Sequence, residues 1–90
     1  MNVIYIEQTE HLDIHYDVVL VNAAGGDIDI YLPNGYTNKY FIIKKLDNTT
    51  NDIVVIPQTN IQIEFAAKYV INTYLSSIKI VYNGVKWFCV

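Results

Sequence analysis

The sequence predicts an all-β fold: eight or nine short, mainly antiparallel strands in a sandwich- or barrel-like unit with an intersubunit core. Three observations carry this. Apolar residues make up 52% of the 90 residues, and Ile, Val and Tyr outnumber the strong helix formers Ala and Leu. Apolar and polar residues alternate at period two, and no stretch follows a 3.6-residue period. Turn residues interrupt the pattern every few positions. Ninety residues make one domain, with 1–16 as an N-terminal segment and 17–90 as the main β unit. A domain of this size buries a limited share of its own surface, so its apolar faces are expected to meet copies of the chain.

The elements follow in order. Asn2–Ile6 is a short strand, with Val3 and Tyr5 on one side and Ile4 and Ile6 on the other. Leu12–Val21 alternates more cleanly. Leu12, Ile14, Tyr16 and Val18 share one face, and His11, Asp13, His15 and Asp17 share the other. Asn22–Gly26 is a turn in which glycine permits a sharp reversal. Asp27–Leu32 directs Ile28, Ile30 and Leu32 inward, and Pro33-Asn34-Gly35 ends it. Tyr40–Pro57 reads as a β-hairpin: YFIIKKL and DIVVIP flank the polar loop DNTTN, and Pro57 cannot extend a ladder. Ile61–Phe65 places Ile61, Ile63 and Phe65 on one face. Tyr69–Tyr74 is another short strand, with Tyr69 and Ile71 on one side. Ile78–Tyr82 and Val85–Val90 flank Asn83-Gly84, the signature of a hairpin closed by a type I′ turn.

Charge and cysteine content exclude several function classes. The net charge is −3 and all six basic residues are lysine, so the Arg-rich basic face of a nucleic-acid binder is missing. Nucleic acid is therefore not the expected partner. The alternative is a nucleic-acid-binding or regulatory viral protein, in which trimerisation would gather Lys44, Lys45, Lys68, Lys79 and Lys86. Cys89 is the one cysteine; it forms no internal disulfide and reads as a buried free thiol. The start, MNVIYIEQTEH, lacks the basic and apolar regions of a secretory signal. No apolar run approaches the ~20 residues of a membrane-spanning helix.

The order of motifs resembles a β-rich unit found in phage and large-virus tail fibres, head fibres and appendage proteins. The matching stretches are VLVNAAGGDIDIYLP, YFIIKKLDNTTNDIVVIP and IQIEFAAKYVINTYLSSIKIVYNGVKWFCV. Within them stand a small-residue turn and alternating strand ending in Pro (Ala23–Pro33), a Y-x-I-K-K strand (Tyr40–Lys45), a V-x-I-x-P strand (Val54–Pro57, one residue short) and a terminal N-G-x-x-W hairpin (Asn83–Trp87). The match runs from about Asp17 to Val90, and the order of the motifs gives it specificity. The resemblance implies a non-enzymatic homotrimer, found in the virion or in the host-cell cytoplasm during assembly. Its further partners would be other virion proteins or a host surface glycan or receptor. Unlike long fibre proteins, the chain shows no collagen-like or coiled-coil stem.

Candidate interface residues are Val18, Leu20, Ile43, Val55, Ile80, Trp87 and Phe88. Candidate ligand-binding residues are Tyr31, Tyr36 and Tyr40, near the Pro33–Gly35 turn, because a tyrosine ring offers a flat apolar face and a hydroxyl. His11, Asp13 and His15 form the one pattern able to ligate a metal, since a strand would put them on one face. A solvated polar face is the favoured reading there, and neither a metal nor another cofactor is expected. No catalytic residue stands out. Ser76 and Ser77 lack a nucleophile elbow, Asp27 and Asp29 read as edge-protecting carboxylates, and Gly25-Gly26 lacks the Lys-Ser/Thr of a phosphate loop.

Overall fold

The computed structural model describes residues 1–90 throughout. Nine strands and no helix make up the chain: β1 (Val3–Ile6), β2 (Glu10–His11), β3 (Val18–Val21), β4 (Ile28–Tyr31), β5 (Tyr40–Lys45), β6 (Ile53–Ile56), β7 (Tyr69–Ile71), β8 (Ser77–Tyr82) and β9 (Trp87–Cys89). They form two mixed sheets, one ordered β1-β3-β5-β8-β9 and the other β2-β4-β6-β7. Neither sheet closes on itself.

The first six strands alternate between the sheets, so the chain winds through three coils. β1, β3 and β5 stack in parallel on one side, and β2, β4 and β6 on the other. Antiparallel pairing comes only at the end, where β7 joins β6, β8 joins β5 and β9 joins β8. The expectation of mainly antiparallel strands is therefore corrected, since parallel pairings are the more numerous. The Tyr40–Pro57 hairpin is corrected with it: β5 and β6 lie in different sheets.

The reason lies in the DNTTN corner. A β5–β6 hairpin would leave Lys45 and Asp47 at a solvated tip. Instead both are buried, and the corner stacks on the small-residue turn one coil earlier. Ala23 N–H donates to Asp47 Oδ1 (2.7 Å), and Asn51 Nδ2 donates to the Ala23 carbonyl (2.7 Å). Ala23 is itself fully buried between the corners. These bonds carry the chain from one sheet to the other and set β6 on β4.

Period-two patterning holds where strands form. Ile28 and Ile30 of β4, with Leu32 just beyond it, point inward, as do Val19 and Val21 of β3, Phe41 and Ile43 of β5, and Ile78 and Ile80 of β8. They belong to a single cluster of 17 buried apolar residues that both sheets line. Residues 1–16 supply β1 and β2 to the two sheets and Ile6 and Leu12 to this cluster. Trp87 fills the space beside the last strands, its ring centroid 5.7 Å from Phe41 and 5.1 Å from Tyr82. Gly35 lets Tyr82 in: a Cβ at that position would lie 2.7 Å from two Tyr82 ring carbons.

Three further expectations shift. Leu12–Val21 is not one strand, because a turn at Asp13–Tyr16 separates β2 from β3; Tyr16 N–H donates to the Asp13 carbonyl. Ile61–Phe65 is not a regular strand. Ile63 makes single bridges to Ala66 and Trp87, and Glu64 adopts a positive φ of 54°. That reversal leaves Phe65 84% exposed rather than inward beside Ile63. The C-terminal hairpin forms, but Asn83 opposes Lys86 and the loop is Gly84-Val85. Only Gly84 has positive φ (98°), the pattern of a type II′ turn rather than the I′ turn read from Asn-Gly.

Candidate functional site

The register of the five-stranded sheet builds an apolar outer face. Tyr40, Val81 and Phe88 align across β5, β8 and β9. Val3, Val18 and Ile42 align across β1, β3 and β5, ending at Lys79 of β8. Tyr5 and Leu20 form the third row, completed by Lys44 and Ser77. The central side chains are half-buried by their neighbours, whereas Val3 and Tyr5 are 54% and 52% exposed. Lysine stems cross this face: Lys79 Nζ lies 5.2 Å from the Tyr40 ring centroid, and Lys44 Nζ donates to the Leu75 carbonyl at 3.1 Å. Lys86 Nζ lies 4.4 Å from the ring of Phe65 and 5.5 Å from that of Phe88, so the exposed Phe65 continues the face past β9.

The candidate interface residues divide by strand parity. Val18, Leu20 and Phe88 stand on this outer face. Ile43, Val55, Ile80 and Trp87 lie in the core of the single chain, each no more than 1% exposed, and offer no surface to a partner. Runs such as FII and VVLV are apolar at both parities, so their pattern does not say which residues turn inward.

Two lysines are buried, at the two ends of β5. Lys39 Nζ donates to the Tyr16 carbonyl (2.5 Å) and to Asp17 Oδ1 (3.1 Å), and rests 4.5 Å from the Phe41 ring centroid. Asp17 also accepts from the Asn2 N–H (3.0 Å), and this bond, with Lys39, holds its carboxyl below the usual range. Lys45 Nζ donates to Asp47 Oδ2 (2.6 Å) and to the Asn51 carbonyl (2.9 Å). Burial disfavours the Asp47 carboxylate. Hydrogen bonds from Lys45, the Thr49 hydroxyl and the Ala23 amide outweigh it, and the group is held well below the carboxylate range. No buried side-chain polar atom of this corner lacks a hydrogen-bond partner, which makes it a clamp rather than a reactive centre. Lys45 therefore leaves the set of lysines expected to form a basic patch. Counting by twos from Phe41 places Lys45 inward, a signal already in the sequence.

Tyr31, Tyr36 and Tyr40 do not share a site. Tyr31 stacks on His11, ring centroids 4.5 Å apart and planes 14° from parallel, because β2–β4 register sets the two residues opposite each other. Their rings border an open groove of about 460 Å³, lined also by Leu32, Ile56, Pro57, Gln58 and Thr59. Tyr36 borders a separate depression of about 550 Å³ beside Ile14 and His15. Tyr40 lies on the outer face of the other sheet. The metal pattern separates in the same way. His15 Nδ1 is 2.6 Å from Asp13 Oδ1 at the surface, and the His15 backbone N–H with its ring lowers the Asp13 pKa. His11 is engaged with Tyr31, so His11, Asp13 and His15 do not converge. The strand that would have aligned them breaks at Asp13.

Cys89 is half-buried, and its backbone N–H donates to Glu64 Oε1 (3.2 Å). Burial and the Glu64 carboxylate push its thiol up to about 11, which leaves very little thiolate at neutral pH. No helix is long and apolar enough to cross a membrane. Comparison with protein-family models and with curated proteins finds no match to this chain.

Proposed function

We propose that the chain is a non-enzymatic viral structural or attachment protein that self-assembles as a homotrimer, with the outer face of the five-stranded sheet as its interface. The carrying observation is the largely apolar surface built by the rows around Val18, Ile42, Val81 and Phe88, crossed by Lys44 and Lys79. Monomers seldom leave contiguous apolar patches of this kind uncovered, and a three-fold contact would bury it. The viral assignment is supported by the motif order over Ala23–Trp87. In an attachment role, the groove beside Tyr31 and His11 is the surface suited to a glycan or receptor, since it combines a ring face with the polar side chains of Gln58 and Thr59. The two sheets meeting over one core would make each subunit a sandwich-like unit.

Light scattering behind size exclusion tests the reading. The expected particle contains three chains, or a multiple of three, at every concentration. Ile42→Lys, on the half-buried outer face, is expected to break that contact while the β-sheet circular dichroism persists. A monomeric or dimeric parent protein refutes the trimer. Ile80→Asp would not serve, because Ile80 is fully buried within the single chain and the buried charge would unfold it.

A further inference from the structure

The five-stranded sheet has two unlike edges. Along β9 the edge is covered: Trp87 N–H donates to the Gln62 carbonyl (2.9 Å), Glu64 N–H donates to the Trp87 carbonyl (2.6 Å), and the Glu64 carboxylate receives the Cys89 N–H. Along β1 nothing covers it. The Asn2 and Ile6 carbonyls face β3, accepting from Val18 N–H (3.1 Å) and Asn22 N–H (2.9 Å). Strand geometry repeats every two residues, so the N–H and C=O groups of Val3 and Tyr5 point away from the sheet. The other sheet protects its edges by brevity: β2 has two residues, and β7 has three and follows Lys68. β1 reads Val-Ile-Tyr-Ile, without charge, proline or glycine. Such an edge is the kind that folded proteins normally blunt.

We infer that β1 pairs antiparallel with β1 of a second copy, about a two-fold axis through Ile4. In that register Val3 lies opposite the partner's Tyr5 and Ile4 opposite the partner's Ile4. The Val3–Tyr5 pair exchanges both of its backbone hydrogen bonds, and symmetry repeats the exchange. All four outward-pointing groups of each strand are then satisfied. The exposed side chains of Val3 and Tyr5 form an aromatic–β-branched cross-strand pair, and Ile4, which already packs against the core, meets its symmetry mate across the join. The occupant is a second copy because the strand is its own complement: one register satisfies the backbone, pairs the side chains and opposes no like charges. The result is a continuous ten-stranded sheet. The backbone bonds of this contact lie in the plane of the sheet, while the Val3 and Tyr5 side chains stand at the margin of the outer face proposed as the trimer interface. Where the two-fold axis crosses the three-fold at a right angle, the two contacts close as a pair of trimers; without the trimer contact, β1 pairing gives a dimer.

Val3→Pro and Tyr5→Pro test the pairing, since each deletes an outward N–H and leaves the β1–β3 ladder intact, as edge strands allow. Particle mass is measured by light scattering, with circular dichroism as the check on folding. The expected result is a parent particle with an even number of chains and a fall in mass of at least twofold in either variant. Amide exchange in the parent protein supplies a readout that needs no variant: the Val3 and Tyr5 amides are expected to be protected when assembled and to exchange freely on dilution. An odd-numbered parent particle, an unchanged mass in a folded proline variant, or unprotected Val3 and Tyr5 amides at high concentration overturns the inference. The last result would leave the edge open for a strand of another protein. A trimer that fails on Ile42→Lys but keeps its β1 amides unprotected separates the two contacts.

Discussion

Replacing Lys45 with methionine keeps most of the side-chain volume and removes its charge. The Asp47 carboxylate is then left buried, with Lys45 gone from an oxygen that it had approached to 2.6 Å. Breaking a buried ion pair from one side costs about 3–5 kcal/mol. A chain of this length has a total stability of about 5–13 kcal/mol, so the loss is a large share of it, and Tm is expected to fall by roughly 15–30 °C. Urea unfolding followed by circular dichroism measures the difference. Lys45→Met with Asp47→Asn removes both charges while Oδ1 still accepts from Ala23 N–H, so the double variant is expected to be more stable than Lys45→Met alone. Acid titration adds a sign. The folded Asp47 carboxyl lies below its unfolded value, so its contribution is fully present above about pH 4 and is lost as pH falls through the folded value. Without Lys45 the carboxyl is lowered less, and the acid limb of the stability curve becomes shallower. A loss under about 1 kcal/mol in Lys45→Met, or a double variant no better than the single one, would show that the corner is not a clamp.

Gly35→Ala brings a methyl group within 2.7 Å of the Tyr82 ring; it is expected to cost about 1–3 kcal/mol and to alter the Trp87 near-ultraviolet signal as Tyr82 is pushed off the indole. Cys89 is expected to react with iodoacetamide about 100-fold more slowly at pH 8 in the folded protein than in urea, because burial and Glu64 push its thiol up to about 11 and deplete the reactive thiolate; equal rates would contradict that burial.

Much of the fold was legible because it rests on alternation. Ile28, Ile30 and Leu32 announce the inner face of β4, and Asn83-Gly84 announces the last hairpin within one residue of its true turn. The winding was not legible, because two apolar runs around a polar loop fit a hairpin and a crossing between sheets equally well. The choice depends on Asp47 reaching Ala23, a contact 24 positions away that no local pattern carries. The outer face was half legible. Alternating burial within β3 and β9 separates Val18, Leu20 and Phe88 from their buried neighbours, but Ile43 cannot be told from Ile42 in an unbroken apolar run. Alternation puts Phe65 inward beside Ile63, and a single positive φ at Glu64 reverses that parity.

The coiled path also sets the kinetic character of the chain. Val18 must find Ile42, Ile28 must find Ile53, and Tyr40 must find Val81 before the ladders that join them can form. Only β8 and β9 are neighbours along the chain that also pair through a tight turn. Loop closure therefore precedes almost every stabilising contact, and the entropy it costs is spent before burial can return it. Folding should begin with the C-terminal hairpin as its one local element and be limited by closure of the coils. Until then the uncharged β1 segment is a free strand, and a chain synthesised at high concentration is most exposed to mispairing in that interval.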